Sequence, residues 1–126
     1  MSDIAALDEH RYMSFATFRK SGTEVATPVW FTAADRRLYV FTAEQSGKVK
    51  RLRNSARARV APSDARGRVL GAWLEASARV VGERDSIERA HAAFRRKYGW
   101  QMLLTDFFSR LAGRIQHRAW LEITLL

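Results

Sequence analysis

Apolar and polar residues alternate along several short stretches of the chain, and this period of two residues predicts β-strands. In the stretch 72–82 the apolar side chains take every second position, while Glu75, Ser77 and Arg79 occupy the other face. The last stretch alternates in the same way, with Ala119, Leu121, Ile123 and Leu125 predicted to point inward. The predicted strands cover residues 12–18, 24–31, 38–42, 56–62, 72–82 and 117–126.

Short turns join the first three of these strands. The segment RKSGTE connects 12–18 to 24–31, and its glycine is typical of a hairpin turn. The segment TAADRR then leads to 38–42. We therefore predict that these three strands form a meander, in which each strand pairs with the next.

A period near 3.6 residues predicts helices in four other places. These helices cover residues 2–10, 46–54, 85–99 and 100–113. Ser2 is the predicted N-cap of the first, and Gly99 ends the third. Six short strands with helices inserted after the third and the fifth predict a mainly β fold, an antiparallel split β-barrel with short peripheral helices. Closure of a barrel protects strand edges that an open sheet would expose. A length of 126 residues suits a single domain over 1–126.

Composition narrows the chemistry. The chain has no cysteine, which excludes disulfides, thiolate metal sites and cysteine nucleophiles and suits a reducing compartment. No signal peptide is visible, and no stretch approaches the roughly 20 apolar residues that span a bilayer. We therefore expect a cytoplasmic protein. The net charge of +9 invites a nucleic-acid interpretation, but 18 of the 22 basic residues are arginines dispersed along the chain.

Familiar catalytic patterns are missing. His10, His91 and His117 lie far apart, and none has a second ligand at a metal-binding spacing, so we expect no metal site. No phosphate-binding P-loop or nucleophile elbow is present, and no inward pair of carboxylates is evident. An enzyme with this sequence would take its reactive atoms from a cofactor, with no obligatory catalytic side chain.

The segment AEQSGKVKRLRN carries the strongest chemical signal in the chain. Ser46 and Gly47 precede a short predicted helix, whose unpaired N–H groups and dipole favour an anion. On that helix Lys48 and Arg51 share one side, whereas Lys50 lies on another. Only some of these basic side chains can therefore reach the same phosphate.

Two other interpretations of this segment remain open. It can be a solvated surface helix, or it can dock on a nucleic-acid backbone. Val49 and Leu52 are typical of residues that anchor a helix to a core, and the segment lacks the aromatic side chains on which bases stack. We therefore expect no nucleic-acid partner.

Pro28 interrupts the strand EVATPVWF. Proline cannot donate a hydrogen bond to a neighbouring strand, so Pro28 must lie at an edge or at a bulge. Backbone groups of Thr27, Val29 and Trp30 are then either free to face a ligand or simply exposed at the edge.

Three segments within roughly residues 14–82 carry a family resemblance; in order they are SFATFRKSGTEVATPVWF, RLYVFTAEQSGKVKRLRNSARARVAPSDARGRVLG and ASARVVG. Together they resemble the split β-barrel flavin and deazaflavin oxidoreductases related to pyridoxamine 5′-phosphate oxidase. The resemblance is closest to the branch described as F420-dependent enzymes. It implies a homodimer with a cofactor in each groove between the subunits.

The resemblance also assigns residues. Ser46, Lys48 and Lys50 take the phosphate-binding pattern, with Thr42 at the end of the preceding strand and Arg51 as a further candidate. A second group lies against the ring system, largely through backbone atoms: Thr27, Pro28, Val29 and Trp30. Trp73 is the candidate side chain that a partner subunit contributes.

The implied activity is hydride transfer between coenzyme F420 and a conjugated small-molecule substrate, and the abundance of arginine around the site suits the acidic tail of F420. Two alternatives are kept. One is an FMN-binding protein similar to pyridoxamine 5′-phosphate oxidase; the other is a non-catalytic basic barrel that holds nucleic acid or a cofactor.

The helix predicted at 100–113 has three interpretations. Leu103, Phe107 and Leu111 form one apolar stripe, which we expect to pack on the barrel or on a dimer partner. The stripe can instead roof the substrate pocket, or rest weakly on a membrane surface through residues 100–114.

Overall fold

Seven strands form one antiparallel sheet in the order β2-β1-β5-β6-β7-β4-β3 in the computed structural model, which describes residues 3–126. The strands are β1 (Tyr12–Phe18), β2 (Glu24–Val29), β3 (Thr32–Ala34), β4 (Arg37–Ala43), β5 (Arg57–Ser63), β6 (Leu74–Val81) and β7 (Arg118–Leu125). The helices are α1 (Asp3–Asp8), α2 (Gly47–Asn54), α3 (Arg84–Tyr98) and α4 (Trp100–Leu111), and a short 3-10 turn covers Ile115–His117. The predicted cap Ser2 lies outside the described residues.

The predicted strand 24–31 ends at Val29, and the segment TAADRR, predicted as a turn, contains the additional strand β3, which raises the count from six to seven. At the break, the Trp30 ring stacks on the Tyr98 ring with 4.4 Å between centroids. The Phe31 N–H donates to the Tyr98 hydroxyl at 3.0 Å. These contacts hold the chain against α3, so β2 ends at Val29 and the chain starts β3 at another edge.

The predicted meander is wrong. β2 pairs with β1, as the hairpin prediction required, but β4 pairs with β3 and β7 rather than with β2. The bend at Trp30 and Phe31 carries the chain from one end of the strand order to the other. Because only two residues separate β2 from β3, the two edges of the sheet must lie near each other. The sheet is therefore curled into a half-barrel, which confirms the predicted split-barrel class.

Two apolar clusters stabilise this sheet. The inner cluster fills the curled sheet with residues such as Phe15, Val60 and Leu121, all at 0% exposure. The helix α2 closes this cluster, because Val49 and Leu52 are buried in it, as their spacing predicted. The inward residues of β7 are confirmed as well, since Ala119, Leu121 and Ile123 belong to the inner cluster and Leu125 packs against it.

The outer cluster lies between the opposite face of the sheet and α3 with α4. It is mostly aromatic, and its members include Tyr39, Phe94, Tyr98, Met102 and Trp120. This side of the sheet is covered by helices. The other half of the outer face belongs to β2, β1 and β5. It carries several small side chains, among them Ser14, Ala16, Ala26 and Ala61.

The helix α4 forms where it was predicted, but its apolar stripe does not pack on the barrel. Leu103, Phe107 and Leu111 are 56%, 55% and 70% exposed. The buried residues of α4 are instead Met102 and Asp106. Within residues 3–126, every helix is too short or too polar to cross a membrane.

Candidate anion site at the start of α2

The turn before α2 has the geometry of a capped helix start. Ser46 is extended, with φ −68° and ψ 158°, and its Oγ accepts a hydrogen bond from the Val49 N–H at 3.4 Å. The N–H groups of Gly47 and Lys48 lie in the first turn, where no carbonyl of the preceding turn is available to accept from them. The Ser46 hydroxyl proton is free of the cap bond, so the turn can offer several donors to one anion.

Arg51 folds back over this turn. Its Nε donates to the Thr17 Oγ1 at 2.6 Å, which ties the guanidinium to the end of β1. A Cβ atom on Gly47 would lie only 2.5 Å from the Arg51 Nη1. The missing side chain at Gly47 therefore makes room for the guanidinium directly beside the helix start.

The electrostatics of this turn are unbalanced. Burial lowers the pKa of the Lys48 ammonium, and the charge of Arg51 lowers it further. Burial also lowers the pKa of Arg51, with a contribution from the charge of Arg19. None of these three cations forms an ion pair with a carboxylate in the part of the chain that the structure describes. An anion bound here would supply the missing countercharge, and we name Arg19, Lys48 and Arg51 the cation cluster.

The strand predicted to lie against the ring system is close to this cluster. Val25 of β2 is opposite Thr17, the residue that Arg51 contacts, and Thr27 is two positions further along, about 7 Å away. The Thr27 Oγ1 is buried and has no hydrogen-bond partner within residues 3–126. A buried hydroxyl without a partner costs about 1–3 kcal/mol. A polar group of a ligand at this strand would satisfy it, so the residues present suit a phosphorylated ligand that extends from α2 toward β2.

Pro28 lies on an edge strand, one of the two predicted placements, because within residues 3–126 β2 pairs with β1 alone. Its side chain is exposed, and a Cβ atom on Gly67 would lie 3.3 Å from the Pro28 Cδ. The loop that contains Gly67 therefore approaches Pro28 closely. Val29 is half-buried and packs against the inner cluster.

Four further predicted site residues, beyond those of β2 already described from Thr27 to Val29, also lie outside the cation cluster. Lys50 is exposed on another side of α2, where its carbonyl accepts from the Asn54 Nδ2 at 3.2 Å. Thr42 lies opposite Ala119 and lines a separate cavity of about 250 Å³. The Trp30 ring is engaged with Tyr98, which leaves only its backbone for the predicted role.

Trp73 is the fourth of these residues. It is half-buried just before β6, and the Arg59 guanidinium lies 4.7 Å from its ring centroid. Arg59 also contacts Glu24 at 3.0 Å and Glu75 at 3.0 Å. Trp73 thus borders the outer face of β1, β2 and β5 rather than the start of α2 within the same subunit.

Two residues of the site were missed in the sequence. Arg19 directly follows β1, and its long side chain brings charge to α2 only because α2 packs on β1. Thr17 is fully buried, and it breaks the apolar alternation of Met13 and Phe15 on the inner face of β1. This break in the pattern could have indicated Thr17, because a buried hydroxyl needs a hydrogen-bond partner, and Arg51 is that partner.

The sequence matches the pyridoxamine 5′-phosphate oxidase family over residues 4–126. The chain therefore belongs to this family, whose split-barrel fold agrees with the curled sheet described above. No curated protein shows significant sequence similarity to the chain.

Solved structures share the fold at low sequence identity. A conserved hypothetical protein from Mycobacterium tuberculosis has a TM-score of 0.74 and 19% identity over 99% of this chain and 81% of its own. The heme storage protein HutZ from Vibrio cholerae has a TM-score of 0.71 and 14% identity over 98% of this chain and 88% of its own. A heme-binding protein from Mycobacterium smegmatis has a TM-score of 0.66 and 15% identity over 97% of this chain and 48% of its own. Such identities show similarity of fold alone.

Proposed function

We propose that the protein is an oxidoreductase that binds coenzyme F420 and transfers hydride between it and a conjugated small-molecule substrate, with FMN as the alternative cofactor. The observation that carries this proposal is the cation cluster, which surrounds a helix start and lacks a carboxylate partner among residues 3–126. The unpaired Thr27 hydroxyl nearby indicates where the rest of the ligand would lie.

Each residue of the site has a separate task in this proposal. Lys48 and Arg51 hold the phosphate by charge, and Ser46 with the first N–H groups of α2 orients it. Thr27 and the backbone of β2 position the ring. The cofactor supplies the redox chemistry when it is bound, and the protein supplies binding and orientation.

The preference for F420 over FMN rests on charge. The chain carries a net charge of +9, and the cation cluster offers more positive charge than one phosphate requires. An acidic tail beyond the phosphate would benefit from this excess. Lys50, which faces another side of α2, is a candidate contact for such a tail rather than for the phosphate itself.

We also propose a homodimer formed through the outer face of β1, β2 and β5. Ala26 is exposed on this face, and its small side chain permits the close approach of a second backbone, whereas Ser14, Ala16 and Ala61 are buried within the subunit. Trp73 at its border would then reach the site of the partner subunit. Sedimentation equilibrium tests this arrangement, and an Ala26→Arg variant, at an exposed position of this face, should shift the mass to that of a monomer.

A ligand panel tests the function. The purified protein is titrated by fluorescence with F420, FMN, FAD and haem, and separately with duplex DNA, at low and moderate salt. Saturable binding of F420 in preference to the others supports the proposal, and a preference for FMN would replace only the cofactor.

Two results would overturn the proposal. One is binding of haem without binding of either flavin-type cofactor. The other is tight duplex binding that falls by orders of magnitude between about 50 and 200 mM salt, which is the behaviour of a polymer binder.

A further inference from the structure

The helix α4 is held by its polar side. Asp106 is 3% exposed, and its carboxylate accepts from Arg118 Nη1 at 2.8 Å and from Arg95 Nη2 at 3.1 Å, with His91 Nε2 at 2.8 Å. Arg11, just before β1, donates to Gln101 of the same helix. Met102 is the one large apolar side chain that α4 buries. Directed polar bonds therefore fix which side of α4 faces inward.

The outward side of α4 is apolar along its whole length. Six large side chains on this side are between 45% and 70% exposed: Trp100, Leu103, Leu104, Phe107, Phe108 and Leu111. Their positions are three or four residues apart, so they form one continuous stripe. We call this set the α4 stripe. Its exposed area is roughly 700 Å², taking about 200 Å² for an aromatic side chain. The largest apolar patch of an ordinary monomer is about 300–600 Å².

The exposed charged side chain of α4 itself is basic. The only acidic residue of α4 is Asp106, and it is turned inward against Arg118. Arg110 and Arg114 near the end of the helix are exposed, as is Arg96 of α3. The exposed surface of α4 therefore combines apolar side chains with a basic border and has no carboxylate.

The apolar side chains and their basic border together indicate which kind of partner covers the α4 stripe. A contact between two copies of α4 would place two surfaces with basic borders together, with no exposed acidic group of α4 to pair with Arg110 and Arg114. An anionic bilayer surface offers both an apolar layer and negative headgroups. A helix of 12 residues is about 18 Å long, which lets it lie flat in the headgroup region.

We propose that α4 docks the protein on the surface of an anionic phospholipid bilayer, with the α4 stripe inserted at the boundary of headgroups and acyl chains. The buried Asp106 network presents the stripe outward and keeps the acidic charge of the helix away from the lipid.

Vesicle flotation of the full-length protein tests this proposal. The variant Leu103→Gln/Phe107→Gln/Leu111→Gln removes half of the stripe at exposed positions, and Val69→Gln/Leu70→Gln is the matched control on a surface loop. Circular dichroism and thermal unfolding check that both variants fold. Vesicles contain either phosphatidylglycerol with phosphatidylcholine or phosphatidylcholine alone.

We expect the wild type and the control to float with the anionic vesicles, to float less with the neutral ones, and to be partly released by 0.5 M salt. The stripe variant should bind at least about tenfold more weakly. No flotation of the wild type with either vesicle would overturn the proposal. So would a smaller oligomer for the stripe variant in sedimentation equilibrium, because a second copy would then be the occupant.

Discussion

Replacing Lys48 by methionine should stabilise the free protein and weaken its ligand binding at the same time. Methionine keeps an apolar stem of similar length and removes the charge. Like charges three residues apart on a helix cost about 0.2–0.5 kcal/mol. The variant loses both the repulsion between Lys48 and Arg51 and the cost of partly desolvating the ammonium. Its free energy of unfolding should therefore be higher by about 0.5–1 kcal/mol. For a domain of this size that corresponds to roughly 2–5 °C in Tm.

The pH dependence of the free energy of unfolding provides a second test of the same variant. Because the pKa of Lys48 is lower in the folded protein than the ordinary 10.5, the folded state binds this proton more weakly than the unfolded chain does. The cost of the charge is present at neutral pH, begins to fall as the pH rises through the folded pKa, and is gone above 10.5. The Lys48→Met variant should lack this alkaline gain in stability relative to the wild type.

Ligand binding should change in the opposite direction. A hydrogen bond between charged groups contributes about 1.5–3 kcal/mol, so the variant should bind a phosphate-bearing cofactor roughly 10- to 150-fold more weakly. Thermal unfolding with and without F420 or FMN measures both effects, and Lys20→Met at an exposed turn is the matched control. Unchanged cofactor affinity in Lys48→Met, or a lower Tm of the free variant, would refute the reasoning.

Three further predictions concern Gly47, Asp106 and Tyr98. Gly47→Ala should displace the Arg51 guanidinium and weaken cofactor binding several-fold in a fluorescence titration, with little change in Tm; a lower Tm with unchanged affinity would contradict this. Asp106→Asn should lower the free energy of unfolding by about 3 kcal/mol in urea, because it leaves the buried Arg118 uncompensated. Burial alone would raise the pKa of Asp106, but hydrogen bonds from Arg118 and His91 outweigh it and the pKa is lowered. The carboxylate's contribution should accordingly be lost only as the pH falls below 3.8, and Asp106→Asn should flatten the acid limb of the stability curve. Tyr98→Phe should cost about 1–2 kcal/mol in urea unfolding, because the Phe31 N–H loses its acceptor; an equal loss in Phe94→Leu but none in Tyr98→Phe would contradict this.

Local patterns predicted local structure well. The strand at 12–18 and the helices around α2, α3 and α4 lie where alternation or helical spacing placed them, because these signals depend on neighbouring residues. The burial of Val49 and Leu52 followed from the same reasoning. The partners of the strands did not follow, because pairing between β4 and β7 joins segments some 80 residues apart in the chain.

Two errors have a common physical cause. The strand 24–31 breaks at Trp30 because Tyr98, far along the chain, binds that bend. The helix α4 turns its apolar side outward because Asp106 finds His91 and Arg118 inside. In both places a polar contact with a distant residue outweighs the local pattern, and a single sequence does not reveal such contacts.

The candidate site was predicted in part. Ser46, Lys48 and Arg51 meet at the start of α2, as helical spacing placed the two basic residues on one side. Arg19 and Thr17 joined them only through the packing of α2 on β1. Thr42 and Trp73 lie elsewhere in the subunit, Thr42 in the lining of a separate cavity and Trp73 beside Arg59, so local sequence spacing did not bring them to α2.

The central claim is that a phosphate binds within the cation cluster at the start of α2. A crystal structure of the protein with F420, and a second with FMN, tests it most directly. The account predicts phosphate oxygens at hydrogen-bonding distance, about 2.7–3.2 Å, from the Lys48 ammonium and the Arg51 guanidinium, with the ring beside Thr27. Phosphate density in the cavity lined by Thr42 and Arg118, with the start of α2 left to solvent, would contradict it.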